Sequence, residues 1–313
     1  MLPLTADCPK PLLPVGPWTL LEHQVAALAT ADVRRIVLST GYRHADFHDL
    51  VTRLREGGVE LITVVEDSPL GTGGGLREAL RAIPDAEEVI VLNGDLLSGH
   101  DLRAQIEVLR ASGPEVLGVV HVREVFDARP YGSVVTDGTR RITAFVEKSS
   151  APPSRIVNAG TYVVRAGVLR HIAPHGAVSL EREVFTDLVP RRGLLAYRED
   201  AYFLDVGSPA ALVTANRDLL SRPWPGAAPT GRGPALVLPG ARVHPSASLS
   251  EGTVVHPGAV IGAGARLESV VVLAGAHIDE GAHVTRSVIG CRARVRSGAR
   301  VDDDALGTGE IRA

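Results

Sequence analysis

The chain has 313 residues, 45% of them hydrophobic, with two cysteines and a formal net charge of −3. That is enough apolar material for one large domain and a smaller one, while interspersed charges and a pI near 6.4 exclude the basic field that nucleic acid requires. Cys8 and Cys291 lie far apart without a CxxC spacing, which speaks against a disulfide scaffold or a cysteine zinc site, and no apolar run reaches the roughly 20 residues of a membrane span. With no signal-peptide pattern at the N-terminus, the expected location is cytoplasmic, with no membrane partner.

The chain opens on "MLPLTADCPKPLLPVG", where prolines surround Lys10 without helical or strand period, so an ordered loop is predicted. Leu20, Leu21, Val25, Leu28 and Ala29 then mark a helix face. Strand and helix patterns alternate next: strand over 33–40, helix over 47–57, strand over 59–66, helix over 73–83, a buried strand over 88–95 and a helix near 101–112. Such alternation predicts a three-layer, Rossmann-like α/β domain, and the strand-rich stretches 115–124 and 154–165, with "YGSVVTDG" and "RITAFVEK" between them, make its sheet mixed.

The Pro- and Gly-rich stretch 221–235 breaks every period and is predicted to link residues 1–220 to a second domain, 236–313. There, aliphatic residues recur every six positions at Val243, Leu249, Val255, Ile261 and Leu267. After a slip of one the series resumes at Val272, Ile278 and Val284, and after another at Ile289, Val295 and Val301. Small residues fill the positions around them. This hexapeptide repeat predicts a left-handed parallel β-helix with one aliphatic side chain per short strand facing the axis. Its ends and edges call for cover, so a homo-oligomer is expected.

Several residues have the chemistry of a site. Asp95, in "VLNGDLLSG", follows an apolar strand, where open α/β sheets bind ligands. It either holds a divalent cation or caps a helix, a task for which Asp101 is better placed. Asp205, in "FLDVGSP", is a second carboxylate of this kind, and two such groups suit Mg²⁺ with phosphate oxygens in the remaining positions; the alternative is a turn with Gly207. In "PLGTGGGL", Gly71, Gly73, Gly74 and Gly75 bring backbone amides to a helix start, where an anionic or flat ligand is accommodated. The third glycine of a dinucleotide fingerprint would fall on Leu76, and no GxxxxGK[ST] loop exists, which removes dehydrogenase and P-loop readings. Lys10 and Lys148 are candidate phosphate cations, and Asn158 is either a ligand for a sugar hydroxyl or a turn residue. The eleven histidines form no HExxH motif, and there is no nucleophile elbow, which disfavours zinc hydrolysis and serine catalysis.

In order, "PLTADCPKPLLPVG", "LLEHQVAAL", "PLGTGGGL", "NGD", "FVEK", "NAGTYVV" and "FLDVGSP" resemble the sugar-1-phosphate nucleotidyltransferases over residues 1 to about 220. "SLEREVF" (179–185) looks most like the mannose-1-phosphate guanylyltransferases and related heptose enzymes, and many family members also carry a hexapeptide-repeat tail. The resemblance implies transfer of a nucleotidyl group from an NTP, GTP favoured, to a sugar 1-phosphate, mannose 1-phosphate favoured, with release of pyrophosphate. On matching positions, Asp95 and Asp205 would hold Mg²⁺, Lys10 would contact the triphosphate and Lys148 the sugar phosphate. Glu147 and Asn158 would bind sugar hydroxyls, Gly132 would line the sugar pocket, and Leu70, Gly71 and Gly75 would form the wall against the base. In the family a first strand and a GGxGTR loop precede "PLT", so about two dozen residues are expected upstream of Met1: either the true start is earlier, the favoured reading, or the chain is a truncated and inactive form. The alternative is a catalytically silent homologue that binds a sugar nucleotide and regulates an active partner. An acyltransferase of the hexapeptide class is disfavoured, since the tail lacks a catalytic histidine loop.

Overall fold

The computed structural model describes residues 1–313. In chain order its elements are β1 (Pro14–Val15), β2 (Trp18–Thr19), α1 (Leu20–Ala29), β3 (Arg35–Thr40), α2 (His48–Glu56), β4 (Glu60–Val65), α3 (Gly71–Ala82), β5 (Glu88–Leu92) and β6 (Leu96–Ser98). They continue with α4 (Leu102–Arg110), β7 (Gly118–Glu124), β8 (Gly132–Thr136), β9 (Ile142–Glu147), β10 (Ile156–Arg165), α5 (Phe185–Leu188), β11 (Leu194–Arg198), β12 (Phe203–Asp205) and α6 (Pro209–Ser221), before a run of two- and three-residue strands. No helix is long and apolar enough to cross a membrane. The chain divides into two compact units, one of Leu28–Asn93 with His100–Phe203, the other of Met1–Ala27, Gly94–Gly99 and Leu204–Ala313.

The first unit is built on a six-stranded sheet of order β11-β7-β10-β8-β9, with β5 on β10. It is mixed, as expected, but only β11 runs parallel to its neighbour β7. The strands between 118 and 165 follow one another without a helix, and a parallel pairing needs a crossover of a dozen or more residues. β3 and β4 form a separate parallel pair. Tyr162, Val164, Val120 and Val122 of the sheet pack with Leu76 and Leu80 of α3 and Phe185 of α5, while Val119 and Val163 pack with Leu109 of α4. Helices on both faces give the three layers. The strand expected to be buried, β5, is half-buried along its length, because β10 is its only pairing partner.

Inside this unit His100 and His121 stack at 3.8 Å between ring centroids, 19° from parallel. The His121 Nε2–H donates to the Glu199 carbonyl at 3.0 Å, which leaves Nδ1 buried without a partner, and His100 Nε2 bonds Gln105 at 2.9 Å. Burial, then the charge His100 would carry, then Arg123, pushes the His121 pKa from 6.5 down to about 3; burial likewise lowers that of His100. Tyr197 packs against both rings and donates to Glu199. As pH falls below 6.5 the unfolded chain takes up protons that these imidazoles refuse, so stability is lost by up to about 1.4 kcal/mol per pH unit per histidine. Urea unfolding midpoints at pH 7, 6 and 5 are expected to drop accordingly, and His121→Gln to flatten the slope. A wild-type midpoint independent of pH over that range would contradict this assignment.

In the second unit the short strands stack into three parallel ladders of four or five strands each, a β-solenoid consistent with the expected left-handed β-helix. Val255, Ile261, Leu267, Val272, Ile278, Val284, Ile289, Val295 and Val301 line its axis, joined by Leu306, while Val243 and Leu249 are partly buried against them. Successive coils step by 18 residues at Ser248↔Arg266 and then by 17 at Arg266↔His283 and His283↔Arg300. The dropped residue lies at one corner. The first coil turns there through Glu251 and Gly252, and the later coils through a single left-handed residue, Ser269 (φ 54°), Arg286 (φ 45°) or Asp303 (φ 49°).

One outer column of the solenoid departs from the pattern. Val254, Val271 and Val288 point away from the axis, each beside an inward aliphatic residue, yet all three are fully buried. Helix α6 packs along these strands and starts cleanly because Ser208 caps it, accepting the Ala211 N–H at 3.1 Å, with Pro209 in its first turn. From α6 the buried Asn216 accepts the Gly16 N–H at 2.8 Å and donates to Pro14 O at 3.4 Å. The solenoid, α6 and the N-terminal hairpin β1–β2 are thereby packed as one body. Segment 222–234 carries no helix or strand, but Trp224 and Ala228 within it are buried, and the Ala228 N–H reaches His23 Nδ1 at 3.3 Å.

Candidate active site

Two of the expected residues, Lys10 and Asp95, meet in the second unit, and a third, Asp205, ends the strand paired beside them. Lys10 sits in a 3₁₀ turn, Lys10–Leu12, whose Leu13 N–H closes back on Lys10 O at 3.0 Å. Its Nζ lies 2.9 Å from Asp95 Oδ2, with the two side chains 31% and 34% exposed. Asp95 precedes β6, which pairs with β12, the strand that ends at Asp205. The Val206 N–H donates to Asp95 O at 2.9 Å, so the residue after Asp205 is fixed to the backbone of Asp95. Two glycines make room. Gly94 leaves 3.4 Å between where its Cβ would stand and Pro11 of the lysine loop, and a Cβ at Gly207 would stand 3.0 Å from Asp205 Oδ1. Asp101, not Asp95, caps the next helix, accepting the Ala104 N–H at 3.1 Å, which removes the capping alternative for Asp95.

The donor set here fits a magnesium ion. It offers two carboxylates on neighbouring strands, and no third carboxylate, imidazole or thiolate completes a protein-only cage. An all-oxygen, incomplete set is what a hard, octahedral ion shared with phosphate oxygens and water requires. Asp95 and Asp205 are the residues that would hold it.

The first unit gathers a second cluster. Glu147 ends β9, and Lys148 follows it in a left-handed conformation (φ 46°), tied by its N–H to Tyr131 O at 3.1 Å. A non-glycine residue held there is strained by roughly 1–3 kcal/mol, and the Lys148 side chain is exposed. Glu147 is half-buried, and burial, then the charge of Glu181, raises its pKa. Gly132 stands opposite it in the β8–β9 register. A Cβ at Gly132 would lie 2.5 Å from Glu147 Oε2 and 3.1 Å from the Phe145 ring, so the carboxylate keeps its position only beside glycine. In β10 a bulge interrupts the ladder to β7 between Asn158 and Tyr162, which turns Asn158 out of simple alternation. Its Oδ1 accepts the Gly160 N–H at 2.9 Å, and its Nδ2 donates to the Tyr162 hydroxyl at 2.7 Å.

The glycine run stands at a helix start, as expected, but two of its amides are already occupied. Gly71, Gly73, Gly74 and Gly75 form the first turn of α3, and the Gly73 and Gly74 amides are taken by Val178 O at 2.8 and 3.2 Å. They are therefore not offered to an anion. The glycines serve close packing instead: added Cβ atoms would stand 2.6 Å from Val178 O at Gly71, 2.7 Å from Leu70 Cβ at Gly74 and 3.0 Å from Glu66 Oε1 at Gly75. Leu70 is held from both sides, its N–H donating to Glu66 Oε2 at 3.0 Å and its carbonyl accepting the Val178 N–H at 2.8 Å.

Three members of this cluster carry no role in the sequence reading. Glu181, 9% exposed, accepts from the hydroxyls of Thr72 at 2.7 Å, Tyr162 at 2.9 Å and Ser179 at 3.0 Å. The Tyr162 phenol is fully buried, and burial, then Glu181, pushes its pKa up. Tyr162 has a sequence signal, its place in "NAGTYVV"; Thr72 and Glu181 lie more than 100 residues apart, and no local pattern joins them.

The profile of the Nucleotidyl transferase family matches residues 1–222, and that of the GMPPB C-terminal domain matches residues 232–311. Mannose-1-phosphate guanylyltransferase of Mycobacterium tuberculosis is 37% identical over 269 residues, 85% of this chain and 74% of that protein. A probable mannose-1-phosphate guanylyltransferase 1 of Oryza sativa is 31% identical over 85% of this chain and 75% of its own length. Among solved structures, HddC from Yersinia pseudotuberculosis complexed with GMP-PN has a TM-score of 0.56 at 27% identity, covering 69% of this chain and 92% of that one. A putative glucose-1-phosphate thymidylyltransferase from Bacillus anthracis, at 23% identity and a TM-score of 0.63, shares the fold over 69% of this chain and 88% of its own. By the match of its first 222 residues, and by its likeness to curated guanylyltransferases, the chain belongs to the nucleotidyl transferase family.

Proposed function

We propose that the protein transfers a guanylyl group from GTP to mannose 1-phosphate, giving GDP-mannose and pyrophosphate. The observation that carries this reading is the Lys10–Asp95 pair beside the β6–β12 strands, the second of which ends at Asp205, in a chain 37% identical to a mannose-1-phosphate guanylyltransferase. A phosphate oxygen of the sugar phosphate attacks the α-phosphorus. The new P–O bond forms as the bond to the β-phosphate oxygen breaks, and the electron pair leaves with pyrophosphate. Both reactants are anions, so the protein's work is alignment and charge neutralisation.

Asp95 and Asp205 would hold Mg²⁺, which when bound supplies positive charge against the phosphate oxygens. Lys10, paired with Asp95, turns its ammonium to the triphosphate. Lys148, free of any ion pair and presented by a strained backbone, grips the sugar phosphate. Glu147 and Asn158 bind sugar hydroxyls: the Asn158 amide spends one N–H on Tyr162 and keeps the other for ligand. Leu70, Gly71 and Gly75 form the base-facing wall, its contour fixed by Glu66 and Val178.

A matrix of GTP, ATP, UTP and dTTP against mannose, glucose and heptose 1-phosphates, read as pyrophosphate release, tests the assignment. GTP with mannose 1-phosphate is expected to give the highest kcat/KM. A different best pair would overturn the substrate assignment, and no turnover with any pair would favour a silent, ligand-binding homologue. Gly132→Ala is expected to displace Glu147 and raise the KM for the sugar phosphate about tenfold, the equivalent of one hydrogen bond to a charged group, with the KM for the nucleotide unchanged. An equal rise in both KM values would remove Glu147 from the sugar side.

A further inference from the structure

Both oxygens of the Glu181 carboxylate are occupied, and their partners lead in two directions. Oε1 accepts from the Tyr162 hydroxyl, which accepts in turn from Asn158. A carboxylate only accepts, so the direction of this relay is fixed: Asn158 N–H to Tyr162 O–H to Glu181. Oε2 accepts from the Thr72 hydroxyl, whose own oxygen accepts the Leu180 N–H at 2.9 Å. Thr72 sits between Gly71 and Gly73 in the first turn of α3. Ser179 adds a third hydroxyl and also starts the π-helical turn Leu180–Val184, accepting the Arg182 N–H at 3.2 Å.

A carboxylate this buried is costly unless its acceptors are filled. Here three neutral hydroxyls fill them, although an apolar residue would have packed the same volume without that requirement. What the carboxylate adds is geometry, since hydrogen bonds to a charged acceptor are directional and about twice as strong as neutral ones, and a filled buried network fixes one arrangement.

We infer that Glu181 is a positioning residue that sets the Asn158 amide and the glycine turn of α3 in a single arrangement, so that the sugar-binding and base-facing surfaces are mechanically one piece. The inference rests on the roles proposed above for Asn158 and for Leu70, Gly71 and Gly75. The structure supplies the linkage itself: two surfaces drawn from segments more than 80 residues apart share one anchor, and no other side chain bonds both.

The test is Thr72→Val, which removes the hydroxyl, keeps the shape and leaves Glu181 in place, whereas Glu181→Ala risks the fold. Thr72 is on the base-facing turn, yet this variant is expected to raise the KM for the sugar 1-phosphate about fivefold to tenfold and change kcat less than threefold. Thr72→Ser is expected to restore both KM values to within about twofold of wild type. A readout without substrate runs beside it: the Gly160 amide, bonded to Asn158 Oδ1, should exchange with solvent about tenfold faster in Thr72→Val and at the wild-type rate in Thr72→Ser. Unchanged Gly160 exchange, or an effect on the nucleotide KM alone, overturns the linkage. If the wild-type protein turns over no substrate pair, the proposed function falls, and the exchange rates alone decide whether the linkage holds.

Discussion

Replacing Asp205 with asparagine is expected to lower kcat by about 10²- to 10³-fold, the loss found when one preorganised electrostatic contact to a reacting group is removed. The amide keeps the shape at the end of β12 and the bond between Val206 N–H and Asp95 O. It removes one of two charges suited to a hard cation. Asp95→Asn is expected to cost as much in turnover, with a further mark of its own: the Lys10 ammonium loses its partner at 2.9 Å. Both groups of that pair are about a third exposed, so the pair contributes less than about 1 kcal/mol to stability. Steady-state kinetics across a Mg²⁺ titration, beside a denaturant curve, separates the two effects. Turnover within threefold of wild type in either variant, with Mg²⁺ dependence unchanged, would take the carboxylate out of the reaction.

A larger structural effect is expected at Val271→Asp. Val271 lies on an outer column of the solenoid, where a helical repeat would ordinarily be polar. On the other faces the matching positions include Arg242, Arg266, His277, Arg294 and Arg300, which are exposed, with Val260 and His283 half-buried. Val271 is instead fully buried on a strand that packs against α6. A carboxylate there has no partner, and burying it is expected to cost about 3–5 kcal/mol. The solenoid interior would remain intact, because Val272 next to it still faces the axis. The loss is therefore expected as a detachment of α6, visible as faster amide exchange over Pro209–Ser221 with solenoid amides still protected. The same substitution at Arg266 is expected to change stability by less than about 0.5 kcal/mol. Equal behaviour at the two positions would mean that α6 does not seal this face.

How far the fold could be read from residues depended on the range of the physics involved. The solenoid core was legible because each inward aliphatic residue answers only to its own short strand and to the coil above it, and the period of six exposes that directly. Even its slips are physical, one residue dropped at the corner that Ser269, Arg286 and Asp303 turn in a left-handed conformation. The covered column was also written in the sequence, as the doublets Val254–Val255, Val271–Val272 and Val288–Ile289, but a period counted on single positions passes over doublets. The sheet was read as mixed, while the dominance of antiparallel pairs followed from the missing crossovers between β7 and β10.

The candidate site divides along the same line. Asp95, Asp205 and Lys10 are legible because a carboxylate at the end of an apolar strand and a lysine in a rigid loop are local signals. The Gly73 and Gly74 amides look ligand-facing in the sequence, because what occupies them, the carbonyl of Val178, lies about 100 residues away. Thr72, Tyr162 and Glu181 went unassigned for the same reason. Each is an ordinary polar residue in its own stretch, and only the folded chain makes them one network.

Product stoichiometry tests the central claim most directly. With GTP, mannose 1-phosphate and Mg²⁺, the account predicts one pyrophosphate released for each nucleotide sugar formed, no release without the sugar phosphate, and loss of both products together in Asp205→Asn. Nucleotide breakdown that proceeds without a sugar phosphate, or pyrophosphate released without a matching nucleotide sugar, would contradict it.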